Sequence, residues 1–208
     1  MKRGFTLIEM LVVIGIIAIL IGAGMATFSA ATRKAQQARA REVVSNVATA
    51  LEAIYQKEGC FPRRVLQGGN DGEMDEHVAY ELAKRDVMTL TYIKKSKENP
   101  DPPKRTVGAD RFGVLTPWAQ DFVKRNKDAG ENKAVPSGGT IRDHRVHFAV
   151  DVNGDGIVMA HVGSDTLEIR ASAVAWCCGR DGKCKEYSYS EGLRRACSYS
   201  WSSQQVVK

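Results

Sequence analysis

Proline is missing from the chain until Pro62, so no residue before it compels a helix to break. Charge is nearly missing from residues 5–28, where Glu9 is the single ionisable side chain. The local patterns of common catalytic sites are also lacking: no H-E-x-x-H, G-x-S-x-G or P-loop occurs. The histidines are His77, His144, His147 and His161. On a strand His144 and His147 would face opposite sides, so they cannot chelate as a pair. These absences argue against an enzyme. Cys177, Cys178 and Cys184 also lack the C-x-x-C spacing of a zinc ribbon.

What is present bounds the architecture. A chain of 208 residues holds one globular domain plus an anchor, whereas two full domains would be cramped. Its 30 Lys+Arg against 24 Asp+Glu give a net charge of +6, which permits weak attraction to anionic lipid or nucleic acid. No aromatic-basic recognition motif accompanies that charge, so a solvated surface is expected and no specific nucleic-acid partner. The five cysteines are Cys60, Cys177, Cys178, Cys184 and Cys197. In an oxidising compartment the C-terminal cluster suits local disulfides better than redox catalysis. Neighbouring cysteines rarely bridge each other, and an odd number leaves a thiol free or paired between chains. The connectivity stays open.

Residues 5–28 form an apolar run of 24 residues. At about 1.5 Å per residue such a helix extends roughly 36 Å, enough for a hydrocarbon core of about 30 Å, and a membrane segment is expected. Only Met1, Lys2, Arg3 and Gly4 stand ahead of it. An ordinary secretory signal also has a basic start and an apolar stretch, and Gly24 with Ala26 could serve as its cleavage site, releasing a secreted binding protein or enzyme. Against that stands Glu9, since a carboxylate in an apolar span costs up to about 2.5–3.5 kcal/mol at its centre and a disposable signal has no use for it.

The order Lys2, Arg3, Gly4, Phe5, Thr6, Leu7, Ile8, Glu9, followed by a long apolar helix, resembles the type IV prepilin family. The resemblance implies cleavage by prepilin peptidase between Gly4 and Phe5 on the cytoplasmic side, with methylation of the new Phe5 amine. The helix then stays on the protein. It implies a single-pass protein of the bacterial inner membrane with its N-terminus cytoplasmic and its C-terminal domain extracytoplasmic, and later a periplasmic or surface filament. Partners implied are membrane lipid, identical and related pilin-like subunits, and an inner-membrane assembly platform. Glu9 is expected to pair with the cationic Phe5 amine of a neighbouring subunit and so set the register between subunits. The alternative is a carboxylate that snorkels or favours its own helix N-terminus. Counting Arg33, Lys34, Arg39 and Arg41 against Lys2 and Arg3 would reverse the orientation. Long domains translocate largely regardless of flanking charge, so the processing motif takes precedence.

Beyond Phe28 the pattern becomes amphipathic. Ala40, Val43, Val47, Leu51 and Ile54 recur at helical spacing, which extends one continuous helix to about Glu58, where Gly59 and Pro62 supply the stop. Gly15, Gly22 and Gly24 weaken it, with local unwinding near Gly22 and Gly24 or close helix packing as the two readings. Residues 50–63 resemble the helix end and following turn of the major pseudopilin of type II secretion, the subgroup this chain most resembles. Pro117 and Trp118 are similar to a Pro-Trp-Gly turn of that group, although Ala119 replaces the glycine. The tail with Trp176, Gly179, Asp181, Gly182, Lys183, Ser200 and Trp201 resembles the terminal strand and loop of pilin-like secretion proteins.

A shorter helix is expected from about Asp75, with Val78, Leu82 and Ala83 on one face. Residues 94–110 and 126–139 read as polar connectors. Strands are expected at 145–151, 157–162 and 172–177. The expected fold is α+β and pilin-like: leader 1–4, transmembrane segment 5–28, amphipathic helix 29–58, and a globular domain 59–208 with a small antiparallel sheet packed on the helix.

Asp151, Asn153 and Asp155, followed by Gly156, place three oxygen ligands on one loop, as a calcium site would. Val162 stands where an EF-hand needs its glutamate, which excludes that motif. A partial calcium site completed from elsewhere and a plain hairpin turn remain as alternatives. No cofactor is required.

Overall fold

The computed structural model describes residues 7–85, 87, 109–110, 112–126, 128–195 and 197–207, without the side chains of 23–27, 109 and 110. The chain divides into two units, Met1–Ala38 and Arg39–Lys208. Helix α1 (Leu7–Glu58, 52 residues) contributes to both. It is unbroken through Gly15, Gly22 and Gly24, so the unwinding that the glycines allowed does not occur. Phe5, the expected start of the helix, lies outside the described residues.

In the second unit the buried stripe of α1 is Ala40, Val44, Val47, Leu51 and Ile54. Val44 replaces Val43, which is half-buried, because it lies four residues from Ala40 and three from Val47, on the line of the stripe. Gly59, at φ 71°, ends the helix in a conformation that side chains resist, and its N–H closes the last turn on Tyr55 O at 2.8 Å. A six-residue helix, α2 (Arg63–Gly68), follows at once. It is too short to leave a periodic signal. Helix α3 (Glu76–Lys84) starts as expected, with the Asp75 carboxylate accepting from Val78 N–H at 2.8 Å and Val78, Ala79, Leu82 and Ala83 buried. Arg85 then ties its end to Glu58 at 3.0 Å.

The sheet has strands β1 (Gly72–Glu73), β4 (His147–Val150), β7 (Ala173–Cys177) and β8 (Ser198–Tyr199) in the order β1-β4-β7-β8, all antiparallel. Strands β2 (Ala109–Asp110) and β3 (Gly113–Val114) make a small separate pair. Strands β5 (Ile157–Val162) and β6 (Asp165–Arg170) form a second separate hairpin. The expected strand at 157–162 therefore lies outside the main sheet, paired with β6, which sequence reasoning did not anticipate. Its turn requires Gly163, at φ 62°, where a Cβ would also collide with Tyr187 O.

Both central strands are buried throughout because the sheet is covered on two faces. Phe148, Val150, Ala173, Ala175 and Cys177 join the core made by α1 and α3. The alternate residues Ala149, Val174 and Trp176 pack with Val158, Ala160, Leu167 and Ile169 of the hairpin and with Trp201. A third apolar cluster, including Leu115, Ala119, Phe122 and Ile141, surrounds helix α4 (Pro117–Arg125). Pro117 and Trp118 thus open a helix with proline at its first position, where its missing N–H costs nothing, and do not form the expected turn. A last short helix, α5 (Tyr189–Arg194), begins with a capping box of Ser188 and Glu191.

A polar centre ties these segments together. Arg145 is buried, and its guanidinium donates to Phe112 O at 2.8 Å while pairing with Glu73 at 3.1 Å and Glu131 at 2.8 Å. Glu73 also meets Arg142 at 3.4 Å and Lys185 at 3.2 Å. His144 is buried nearby, its Nε2 donating to Gly138 O and its Nδ1 accepting from the Thr116 hydroxyl, each at 2.9 Å. Burial pushes its pKa down, against the Gly138 hydrogen bond and the Asp143 and Asp181 charges. The disulfide Cys178–Cys184 closes the loop after β7, while Cys60 is an exposed free thiol and Cys177 and Cys197 are buried free thiols. Burial pushes the Cys177 thiol up to about 12 and raises that of Cys197 too, which makes both poor nucleophiles.

Burial alone would push the Glu73 carboxyl up, but its hydrogen bonds to Arg145 and Lys185 outweigh that and hold it below the ordinary range. A carboxyl lowered by folding contributes stability above its unfolded pKa, and that contribution is lost as pH falls through the lowered folded value. Glu73→Gln is expected to be destabilised at neutral pH by roughly 1–3 kcal/mol, the scale of a hydrogen bond to a charged group. Its urea midpoint should change less than the wild type's as pH is lowered from about 5. Parallel midpoint-against-pH curves would contradict this assignment.

Candidate functional site

The first turn of α1 carries Glu9, where a negative side chain complements the positive end of the helix dipole. Gly4 and Phe5, the expected processing site, lie outside the described residues. Every residue from 7 to 22 is exposed. The large apolar side chains of this stretch range from Val13 at 45% exposure to Leu7 at 81%. Burying one such side chain is worth about 1.5–3 kcal/mol, so an uncovered apolar surface all round a helix calls for lipid or other helices. Added Cβ atoms at Gly15 and Gly22 would meet nothing within 4 Å. Packing within this chain therefore does not require either glycine, and both leave a flat surface for a close neighbour.

Among the described residues no helix is long and apolar enough to cross a membrane. The expected segment 5–28 lies partly outside the described residues.

Asp151, Asn153 and Asp155 do come together, on the loop linking β4 to β5. Asp151 is buried, and its two carboxylate oxygens accept from Gly154 N–H and Gly156 N–H, each at 2.7 Å. Asp155 accepts from Ile157 N–H and from the Asn153 amide, each at 2.8 Å, and Asn153 Oδ1 faces Asp155 N–H at 3.4 Å. All three side chains thus brace their own loop, as Asx turns do.

Sequence reasoning missed the surroundings of His147. The strand alternation invoked for His144 and His147 does not apply, because His144 lies in a 3-10 turn (Arg142–His144); His147 lies opposite Trp176 in the β4–β7 register, stacks on its ring at 5.5 Å, and donates from Nδ1 to Asp71 at 2.8 Å. Only the register between two distant strands reveals those neighbours.

Residues 1–25 match the family model of the prokaryotic N-terminal methylation motif. No curated protein and no solved structure matches the chain. The matched segment contains Gly4, Phe5, Glu9 and the start of α1, and the rest of the chain supplies a long N-terminal helix followed by a small antiparallel domain. The prepilin-type methylation motif of residues 1–25 thus stands at the head of a long helix followed by a small antiparallel domain, an α+β architecture consistent with a pilin-like fold.

Proposed function

We propose that this chain is a structural subunit of a pseudopilus, assembled through α1 for type II protein secretion. The observation that carries this reading is the methylation motif on an unbroken apolar helix, a motif whose family is structural rather than enzymatic. Prepilin peptidase cuts after Gly4 and the Phe5 amine is methylated. Before assembly, residues 5–28 hold the protein in the inner membrane with the leader in the cytoplasm. An inner-membrane platform then passes the subunit into a filament of identical and related subunits. There α1 exchanges lipid for neighbouring helices, and Glu9 neutralises the Phe5 amine of the next subunit, since both charges would be costly if left unpaired in an apolar core.

We infer that the Asp151 loop acts in that role as a plain turn, a reading supported by the hydrogen bonds its carboxylates accept from backbone N–H groups. Asp151→Ala should destabilise the protein by about 1–3 kcal/mol through loss of the two hydrogen bonds to its buried carboxylate, and calcium should leave the wild-type melting temperature unchanged. A calcium-dependent rise that disappears in Asp155→Ala would instead make the loop a metal site.

Processing and assembly should separate in Glu9→Ala. Cleavage reads the leader and the Gly4–Phe5 junction, so the variant should blot at mature size in the membrane, while sheared-filament yield falls to background. Full filament yield from correctly processed Glu9→Ala would contradict the charge-pairing mechanism.

A further inference from the structure

Strand β7 ends at Cys177, and the next residue, Cys178, is bonded to Cys184. Because His147 is opposite Trp176, its imidazole lies on the sheet face that Cys178, two residues beyond Trp176, also addresses. A His147 ring nitrogen and the sulfurs of Cys178 and Cys184 all lie within 4.8 Å of one another, and the three residues are buried.

The imidazole is held from behind. The Asp71 carboxylate only accepts hydrogen bonds, so in the neutral ring Nδ1 carries the proton and Nε2 the lone pair. That Nε2 is buried with no hydrogen-bond partner. A buried acceptor without a donor is uncommon and costly. A histidine with one ring nitrogen bound by a carboxylate, its other nitrogen unpartnered, and two cysteine sulfurs close by has the arrangement of a metal ligand.

We propose that, once the Cys178–Cys184 disulfide is reduced, His147, Cys178 and Cys184 bind a thiophilic divalent ion of the zinc class. The loop is then closed either by the disulfide or by the metal. A dithiol reductant supplies two electrons and two protons, cleaves the S–S bond to two thiols and becomes a disulfide itself. Binding Zn²⁺ forms two Zn–S bonds and one Zn–N bond and releases the two thiol protons. A sulfur in a disulfide is no thiolate ligand, so the two closures exclude each other. One imidazole and two thiolates suit zinc, with a fourth position left for an exogenous ligand.

The test uses full-length protein in detergent, freed of metal and reduced with a phosphine, and Co²⁺ as the optical probe. Reduced wild type should develop thiolate-to-cobalt charge-transfer and tetrahedral ligand-field bands, saturating at one equivalent and bleached by Zn²⁺. Oxidised protein should develop none. Asp71→Asn alters a partly exposed residue behind the ligand and should weaken cobalt binding by about 10–100-fold. Cys60→Ser should leave binding unchanged. Equal binding by oxidised protein would overturn the proposal. So would the absence of bands in reduced protein, unchanged affinity in Asp71→Asn, or native circular dichroism lost on reduction and not regained with metal.

Discussion

Burial of the α1 stripe from Ala40 to Ile54 under the β4–β7 face is the contact around which the globular unit is built. Each of its larger aliphatic side chains contributes about 1.5–3 kcal/mol on leaving water. That contact consumes one face of residues 39–58 and so commits this part of α1 to its own chain. Residues 7–22 of α1, apolar apart from Glu9, are exposed. Helix α1 thus presents a buried stripe within residues 39–58 and exposed apolar side chains within residues 7–22.

The sheet meets the helix with one set of alternating side chains and the β5–β6 hairpin with the other. Such two-sided burial leaves its strands no polar face, and the polar groups that remain are gathered at the strand ends. Arg145 and Glu73 join β1, the start of β4 and two loops there, and the hydrogen bonds on Arg145 offset the cost of placing a guanidinium out of water. The Asp151 loop and the Cys178–Cys184 loop close the other connections with local bonds.

Elements with a long periodic signal or a strong punctuation mark were legible in the sequence. Helix α1 and its stop at Gly59, the Asp75 cap of α3, and the strands at 147–150 and 173–177 belong to this group. Helix α2 was not legible because six residues span less than two turns. Helix α4 was hidden by Pro117, which reads equally as a turn residue or as a first helical residue. The separation of β5–β6 from the main sheet, and the meeting of His147 with Cys178 and Cys184, depend on strand register and pairing between distant segments. The N-terminal motif was legible because it is local, with Gly4, Phe5 and Glu9 all inside the matched residues 1–25.

Central to the account is that the apolar helix is kept after processing and carries a modified amine at its head. Intact mass of the protein extracted from membranes, with sequencing of its N-terminal peptide, tests this most directly. The account predicts a chain beginning at Phe5 and heavier than the unmodified sequence by one methyl group. A chain beginning at Thr27 would contradict it, since the helix that is meant to build the filament would have been discarded as an ordinary signal.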